Sequence, residues 1–468
     1  MRRGYDAVVV GAGSAGCPLV ARLSEDASRR VLLLEAGGPA RRREIGIPAA
    51  FSMLFGTECD WNYETEPQPG LDGRRVYWPR GRVLGGCSSI NAMIYVRGHR
   101  WIYDRWRDAG CEGWGYDELL PYFRRSERFY AGASEDHGGS GALHVSAPRD
   151  PNVLSLRFVD AAVEVGLPRN EDFNAGSQEG VGLYHLTQSR GRRWSAADAF
   201  LEPALSRANL TVATHAVALR VLFERGRAVG VEYTRGGAVE RVSAGEVVLC
   251  GGAVNSPQLL QLSGIGPAAL LRGHGIAVVH GNDAVGGGLQ DHLGISYFYR
   301  ATEPTLNAVL GTWHGRRAAG CRFLATRSGP LSLSVNQMGG LVRSSPAAAR
   351  PDVQLYFNPL SYSTEYVGKR LLFRPDPWPG FIFGFNACRP TSTGRIDIAG
   401  PDPMAAPRIV PNYLSTDRDI ADVIASARLI GRFQRTRALR ALIDGAPAFD
   451  VARATDEEIV ADFRARSG

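Results

Sequence analysis

The chain opens on a short, wholly apolar run at residues 7–10 that breaks directly into glycines. A run this short, closed by turn residues, predicts a parallel strand covered on both faces. Residues 17–23 then predict a helix, and Val31–Leu34 a second buried strand ending at Glu35. The pattern breaks over residues 39–75, which are rich in proline, glycine and charge, with Trp61 and Tyr63 interleaved. Loops of this length are ordinarily functional or disordered, and the aromatics favour an ordered one. Strand-like positions return at Leu210–Ala213 and at residues 218–223, 228–233 and 246–249, the last closing on Gly251-Gly252. Residues 258–262 predict a helix with Pro257 in its first turn, where proline loses no hydrogen bond. Beyond residue 293 strands are predicted at 353–357, 381–385 and 392–398. Over 416–437, Ile420, Val423, Ile424, Ala427 and Ile430 recur at helical spacing and predict an amphipathic helix.

The first break carries chemistry. Gly11-Ala12-Gly13-Ser14-Ala15-Gly16 follows a strand and opens a helix, the context that turns a glycine pattern into a dinucleotide-binding fingerprint. Gly11 allows the tight turn, Gly13 lets a pyrophosphate approach the backbone, and Gly16 lets the helix pack against the sheet. The helix N-terminus presents free N–H groups to the anion. Glu35, followed by Ala36, ends the second strand about 20 residues on, where a carboxylate accepts from a ribose hydroxyl. Its charge opposes the extra phosphate of NADP, whereas the motif alone does not separate FAD from NAD.

Composition narrows the class. At 468 residues the chain is too long for one compact core, so two domains are expected. The net charge of +7 rests almost wholly on arginine, but runs such as Arg41-Arg42-Arg43 are short and interspersed with acids. They read as solvated surface, with no nucleic-acid partner. Seven scattered cysteines without a CxxC pair fit reduced thiols in the cytoplasm. The chain begins almost at once with the nucleotide-binding strand, so no signal peptide is expected. No apolar stretch has the length to span a bilayer. No His/Cys/Asp cluster has the spacing of metal ligands, so no metal is expected.

A second glycine-rich stretch runs RGRVLGGCSSINAMIYVRG from Arg80. Gly85-Gly86 and the small residues after them form either an anion-binding nest or a tight turn before a helix. Taken with the opening fingerprint and with GAVNSPQLLQLSGIG at 252–266, this stretch resembles the glucose–methanol–choline (GMC) oxidoreductases, and the chain looks choline dehydrogenase-like. The resemblance covers nearly the whole chain. It implies an α/β fold: a Rossmann-like FAD-binding domain of glutathione-reductase type at 1–292, interrupted by substrate-side loops at about 39–75 and 130–190. An α+β substrate-binding domain at 293–468 would follow. Arg82, Gly85, Gly86, Ser89, Asn91, Ala92 and Met93 would lie along pyrophosphate and flavin, with Ser14, Ala15 and Ala36 beside the first turn and Val217 at the adenine. Ile90 stands where some members attach FAD through histidine, so the implied FAD is non-covalent. Cys87 stands where serine or glycine is usual.

The implied chemistry is oxidation of an alcohol to an aldehyde or ketone by hydride transfer to flavin N5, with oxygen or a quinone as electron acceptor. Near 334–340 choline-oxidising members carry a carboxylate where this chain has Gln337, which removes a Coulomb attraction for the trimethylammonium group. An apolar or aromatic primary alcohol is therefore the expected substrate. Tyr356 and Phe357 either line its pocket or pack in the core. The family's catalytic histidine lies in a C-terminal His-Pro-x-Gly-Thr segment, whereas the last histidine here is His314. The expectation is that this segment is absent and no residue is assigned as catalytic. The chain is then a truncated product, or complemented by a C-terminal chain, or a catalytically inactive flavin-binding remnant.

Overall fold

The computed structural model describes residues 2–334, 336–367 and 370–468. Strand β1 (Arg2–Val10), helix α1 (Gly16–Leu23) and strand β2 (Val31–Leu34) form the opening unit. β1 pairs in parallel with β2 on one side and with β3 (Ala238–Leu249) on the other, Val8 standing between Leu32 and Val247. Leu210–Ala213 extends the sheet in parallel beyond β2. Arg227–Arg235 and Ala216–Glu224 extend it antiparallel beyond β3, giving six strands. The two-faced burial expected of the apolar run is present. Val9, Val31 and Leu33 pack with Cys17 and Val20 of α1, while Val8, Leu32 and Leu34 pack with Val231 and Tyr233 on the opposite face.

The helix after β3, α2 (Gly252–Leu262), starts six residues before the expected 258, so Pro257 lies inside it and not in its first turn. Proline cannot donate there, and the carbonyl one turn back loses an intrahelical partner. The start is fixed instead by Gly252, whose φ of +79° reverses the chain as it leaves the sheet.

A second sheet has five antiparallel strands in the order Gly294–Arg300, Gly380–Ala387, Val353–Asn358, Met338–Val342 and Gly180–Leu183. Its outer strand comes from within 130–190. That stretch also holds the helix Val153–Glu164, whose Leu154, Phe158 and Ala162 are buried, so it is not a bare loop. Phe158 stacks on Phe357 and on Phe433 of helix α3 (Asp417–Gln434), and Phe383 meets Phe433 edge-on. These rings dominate the larger core. α3 matches the expected amphipathic helix, Thr416 capping it by accepting from the Asp419 N–H.

Candidate functional site

The sheet positions the site. From β1 the chain crosses to β2 on one side, while β3 returns on the other, so the connections leave β1 in opposite directions. At such a point the loops part at the carboxyl ends of the strands and leave a crevice. Here the crevice is a cavity of about 630 Å³, within the range of small-molecule and cofactor sites. It is lined by Val10, Gly11 and Gly13 after β1, Leu34 to Ala36 after β2, and Leu249 to Gly252 after β3.

Each glycine of the first turn does something different. Gly11 has φ +104°, and a Cβ there would sit 2.4 Å from the Cys250 carbonyl oxygen, so only glycine lets the turn clear the end of β3. At Gly16 a Cβ would sit 1.9 Å from the Gly11 oxygen; this is the close helix packing expected of it. At Gly13 the nearest atom to an added Cβ is the Gly86 Cα at 3.9 Å, so its bare face opens on space. Glu35 is almost wholly buried. Its Oε2 accepts from the Ala12 N–H and its Oε1 from the Gly37 N–H, both at 2.8 Å. Burial raises its pKa, opposed by those two N–H donors and by the nearby Arg82 guanidinium.

The second glycine stretch closes the cavity from the other side. Gly85 and Gly86 both have positive φ and lead into a 3₁₀ turn at Gly86–Ser89, while the Gly85 N–H donates to the Ala12 oxygen at 2.8 Å. A Cβ on Gly86 would meet the Gly13 Cα at 2.7 Å, so the two glycine turns touch. Arg82 lies over the Trp61 ring at 4.8 Å, and Trp61 stacks on Tyr63 at 5.7 Å. The Tyr63 hydroxyl accepts from Asn255 Nδ2 at 2.7 Å, and burial pushes its pKa up to about 12, so it stays a neutral phenol. Cys87 lines the cavity with its Sγ accepting from the Gly81 N–H.

Of the residues expected around the cofactor, Gly11, Gly13, Ser14, Ala15, Glu35, Ala36, Arg82, Gly86 and Val217 meet on this cavity. Gly16, Gly85, Ser89, Asn91, Ala92 and Met93 do not line it. Ser89 Oγ donates to the Leu84 oxygen; Asn91 Oδ1 accepts from the Met93 N–H and from Arg193; the Ala92 oxygen accepts from Ser334. The three expected substrate residues lie elsewhere. Phe357 is fully buried in the aromatic core, and the Tyr356 hydroxyl donates to the Ile295 oxygen across the second sheet at 2.8 Å. Gln337 is buried, its Oε1 accepting from the Asn152 N–H and Ser155 Oγ.

Sequence reasoning missed Asn255, Ser256, Gln258 and Leu259 of α2 and the Pro403–Ala406 turn as cavity wall. The signal available was Gly251-Gly252, read as a strand end although it also sets a helix N-terminus against the crevice. It missed Arg193 as well. This buried guanidinium donates to the Ile45, Ser88 and Asn91 carbonyl oxygens and so fixes the loop behind Gly86.

The chemistry of these donors suits a nucleotide with a pyrophosphate. Backbone N–H groups and Arg82 supply positive potential around Gly13, and the Glu35 carboxylate supplies an acceptor at the neighbouring strand end. The open face at Gly13 would let an anion reach the backbone there.

The N-terminal GMC oxidoreductase family model matches residues 5–294, and the C-terminal GMC oxidoreductase model matches 390–467. The chain is 42% identical to an alcohol dehydrogenase [acceptor] of Pseudomonas putida, over 99% of this chain and 84% of that protein. It is 43% identical to a mitochondrial choline dehydrogenase of Mus musculus, over 91% and 72%. Among solved structures, the pyridoxine 4-oxidase of Mesorbium loti superimposes with a TM-score of 0.88 at 32% identity, covering 99% of this chain and 86% of that one. The match over 390–467 corrects one expectation. Both family regions are present, so a missing C-terminal catalytic segment is not supported, nor is a truncated or chain-complemented protein.

Proposed function

Since the chain belongs to the GMC oxidoreductase family, and is thus an FAD-dependent oxidoreductase of the alcohol- and choline-oxidising kind, we propose that it oxidises an apolar or aromatic primary alcohol to the aldehyde with dissociable FAD in the cavity at the ends of β1, β2 and β3. The observation that carries this is the convergence of Gly11, Gly13, Glu35, Arg82 and Gly86 on that cavity. The first turn and Arg82 hold the pyrophosphate, Glu35 the ribose, and Val217 the adenine through its backbone. Residues 1–292 would form the FAD-binding domain and 293–468 the substrate-binding one. FAD supplies the hydride acceptor, and oxygen or a quinone takes the electrons on.

Oxidation removes a hydride from carbon and a proton from the hydroxyl, so a basic group must accept that proton as the hydride leaves. Ile90 supports non-covalent FAD: it is a buried hydrocarbon packed with Ile45, Leu54 and Val83, and cannot bond the flavin. Gln337 lies off this cavity, engaged with Asn152 and Ser155, so the preference for an uncharged alcohol rests on the resemblance in sequence, where choline-oxidising members carry a carboxylate. The seven unpaired cysteines support a reducing compartment such as the cytoplasm. Among the described residues no helix is long and apolar enough to cross a membrane.

The test is anaerobic addition of benzyl alcohol, or of choline, to the FAD-loaded protein. Bleaching of the visible flavin band by benzyl alcohol, faster than by choline, is expected. Bleaching by neither would remove the alcohol-oxidising assignment, and bleaching by choline alone the preference for an uncharged substrate.

A further inference from the structure

A second cavity, of about 620 Å³, shares no lining residue with the first. Its wall includes Arg41, Arg42, Arg43, Arg190, Arg192 and Arg193, against one lining carboxylate, Asp198. Arg42 is neutralised by Glu44 and Glu58. Among the described residues the guanidinium groups of Arg41, Arg43, Arg190 and Arg192 make no hydrogen bond or ion pair with the protein. Asp198 is occupied, its Oδ2 accepting from the Ser195 N–H and hydroxyl. The run Arg41-Arg42-Arg43, which reads in the sequence as solvated surface, therefore meets Arg190 and Arg192 around one concavity.

The floor adds an independent observation. Arg193 is buried, 3% exposed, and forms no ion pair among the described residues; its hydrogen bonds go to the carbonyl oxygens of Ile45, Ser88 and Asn91 and to Asn91 Oδ1. Burial without a counter-charge pushes its pKa down to about 9, Asp198 opposing the shift only at a distance. A buried cation lacking a partner is costly, and an anion beside it would relieve that cost. The remaining polar groups do not compete for an anion. His144 shares a hydrogen bond with Ser189 Oγ at 2.9 Å and packs on Trp194; burial, Arg128 and Arg190 lower its pKa, which favours the neutral ring.

We propose that this cavity is a second ligand site, which binds a small polyanion, either an oligophosphate or a polycarboxylate, through Arg41, Arg43, Arg190 and Arg192. The concave shape selects a small molecule over an extended acidic surface, and the fork of a guanidinium suits phosphate and carboxylate alike. The site is separate from the FAD cavity, although its floor residue, Arg193, also fixes the loop at 88–91.

The test is isothermal titration of the FAD-loaded protein at low ionic strength with pyrophosphate and, separately, with citrate. FAD occupies the first cavity, and the visible flavin absorption of each sample records that it stays there. One-site saturable binding of at least one probe is expected, weakened by added salt. Arg190→Gln/Arg192→Gln or Arg41→Gln/Arg43→Gln should weaken it by about tenfold or more. All four arginines are exposed, so the fold is spared, and Arg220→Gln, whose native partner is Glu232, should leave binding unchanged. The tighter probe names the anion class. Absence of saturation with both probes, or unchanged affinity in both double variants, would overturn the proposal.

Discussion

Replacing Gly13 by alanine separates a cofactor cradle from a structural turn. In the protein alone the added methyl meets nothing closer than 3.9 Å and the backbone φ is not left-handed, so no strain arises. Losing glycine's freedom in the unfolded chain should then stabilise the FAD-free protein by about 0.4–1 kcal/mol. The same methyl projects into the cavity at the point where a pyrophosphate would contact backbone N–H groups. Forcing a methyl into a filled contact costs about 1–3 kcal/mol, which is roughly 5- to 150-fold in the FAD dissociation constant. The stabilities without and with FAD should move in opposite directions. Gly16→Ala is the contrasting variant. Helix preference favours alanine there by about 1 kcal/mol, but its Cβ would lie 1.9 Å from a backbone oxygen, a clash that only movement of α1 relieves. The clash should win, and Gly16→Ala should destabilise the protein whether or not FAD is present. Urea unfolding with and without FAD, and FAD titration by quenching of its fluorescence, measure both. If Gly13→Ala binds FAD as tightly as the native chain, the pyrophosphate does not lie against Gly13, and the placement of FAD fails.

Glu35→Gln keeps one acceptor but turns an amide NH₂ toward the Ala12 or Gly37 N–H, so a buried donor is stranded; urea unfolding should show a loss of about 1–3 kcal/mol. An unchanged midpoint would mean those bonds do not form. His137 is 3% exposed; burial disfavours its charge, but hydrogen bonds to Asp172 and Glu127, in a network with Arg97 and His185, outweigh burial and lift its pKa to about 9. Its contribution, on the order of 2–3 kcal/mol, should be complete below the unfolded value near 6.5 and lost as pH rises through about 9. His137→Gln should flatten that decline, and an equally steep one in the variant would refute the assignment. Acid precipitation should leave the flavin in the supernatant; colour retained in the pellet would mean a covalent bond. Asp419 accepts from the N–H and hydroxyl groups of both Thr391 and Ser392, so Asp419→Ala strands buried donors and should lower the thermal midpoint by several degrees, with FAD affinity unchanged.

The opening unit was legible because its rules are local. Val31–Leu34, buried at all four positions, and Leu210–Ala213, at the sheet edge with Thr211 exposed, are strands at the bounds their sequence pattern marks. The start of α2 was not legible. Pro257 looks like a first-turn residue, yet tertiary packing holds it in the helix interior, at the expense of one hydrogen bond. The helix Val153–Glu164 and strand Gly180–Leu183 were overlooked because a long polar stretch around them reads as loop, while their apolar residues answer to partners far along the chain. Tyr356 and Phe357 show the limit of a strand pattern. Alternation places them on opposite faces of the second sheet, but it does not say which face meets a pocket; Phe357 proves to be packed inside, and half-buried Tyr356 bonds across the sheet.

The loop behind the cavity explains why part of the site escaped. Residues 88–91 have little regular structure, so their carbonyl oxygens need partners from elsewhere. One residue, Arg193, supplies three N–H bonds to Ser88 and Asn91, from more than a hundred positions away. No periodicity links the two, because a guanidinium reaching backbone oxygens leaves no trace in the spacing of apolar residues. A lysine at 193 would keep the charge but could not present donors in that fixed fork. The loop carrying Gly86 and Cys87 therefore depends for its shape on a buried cation with no counter-charge. Its cost is accepted because the alternative, several unsatisfied carbonyls behind a cofactor cavity, is costlier still.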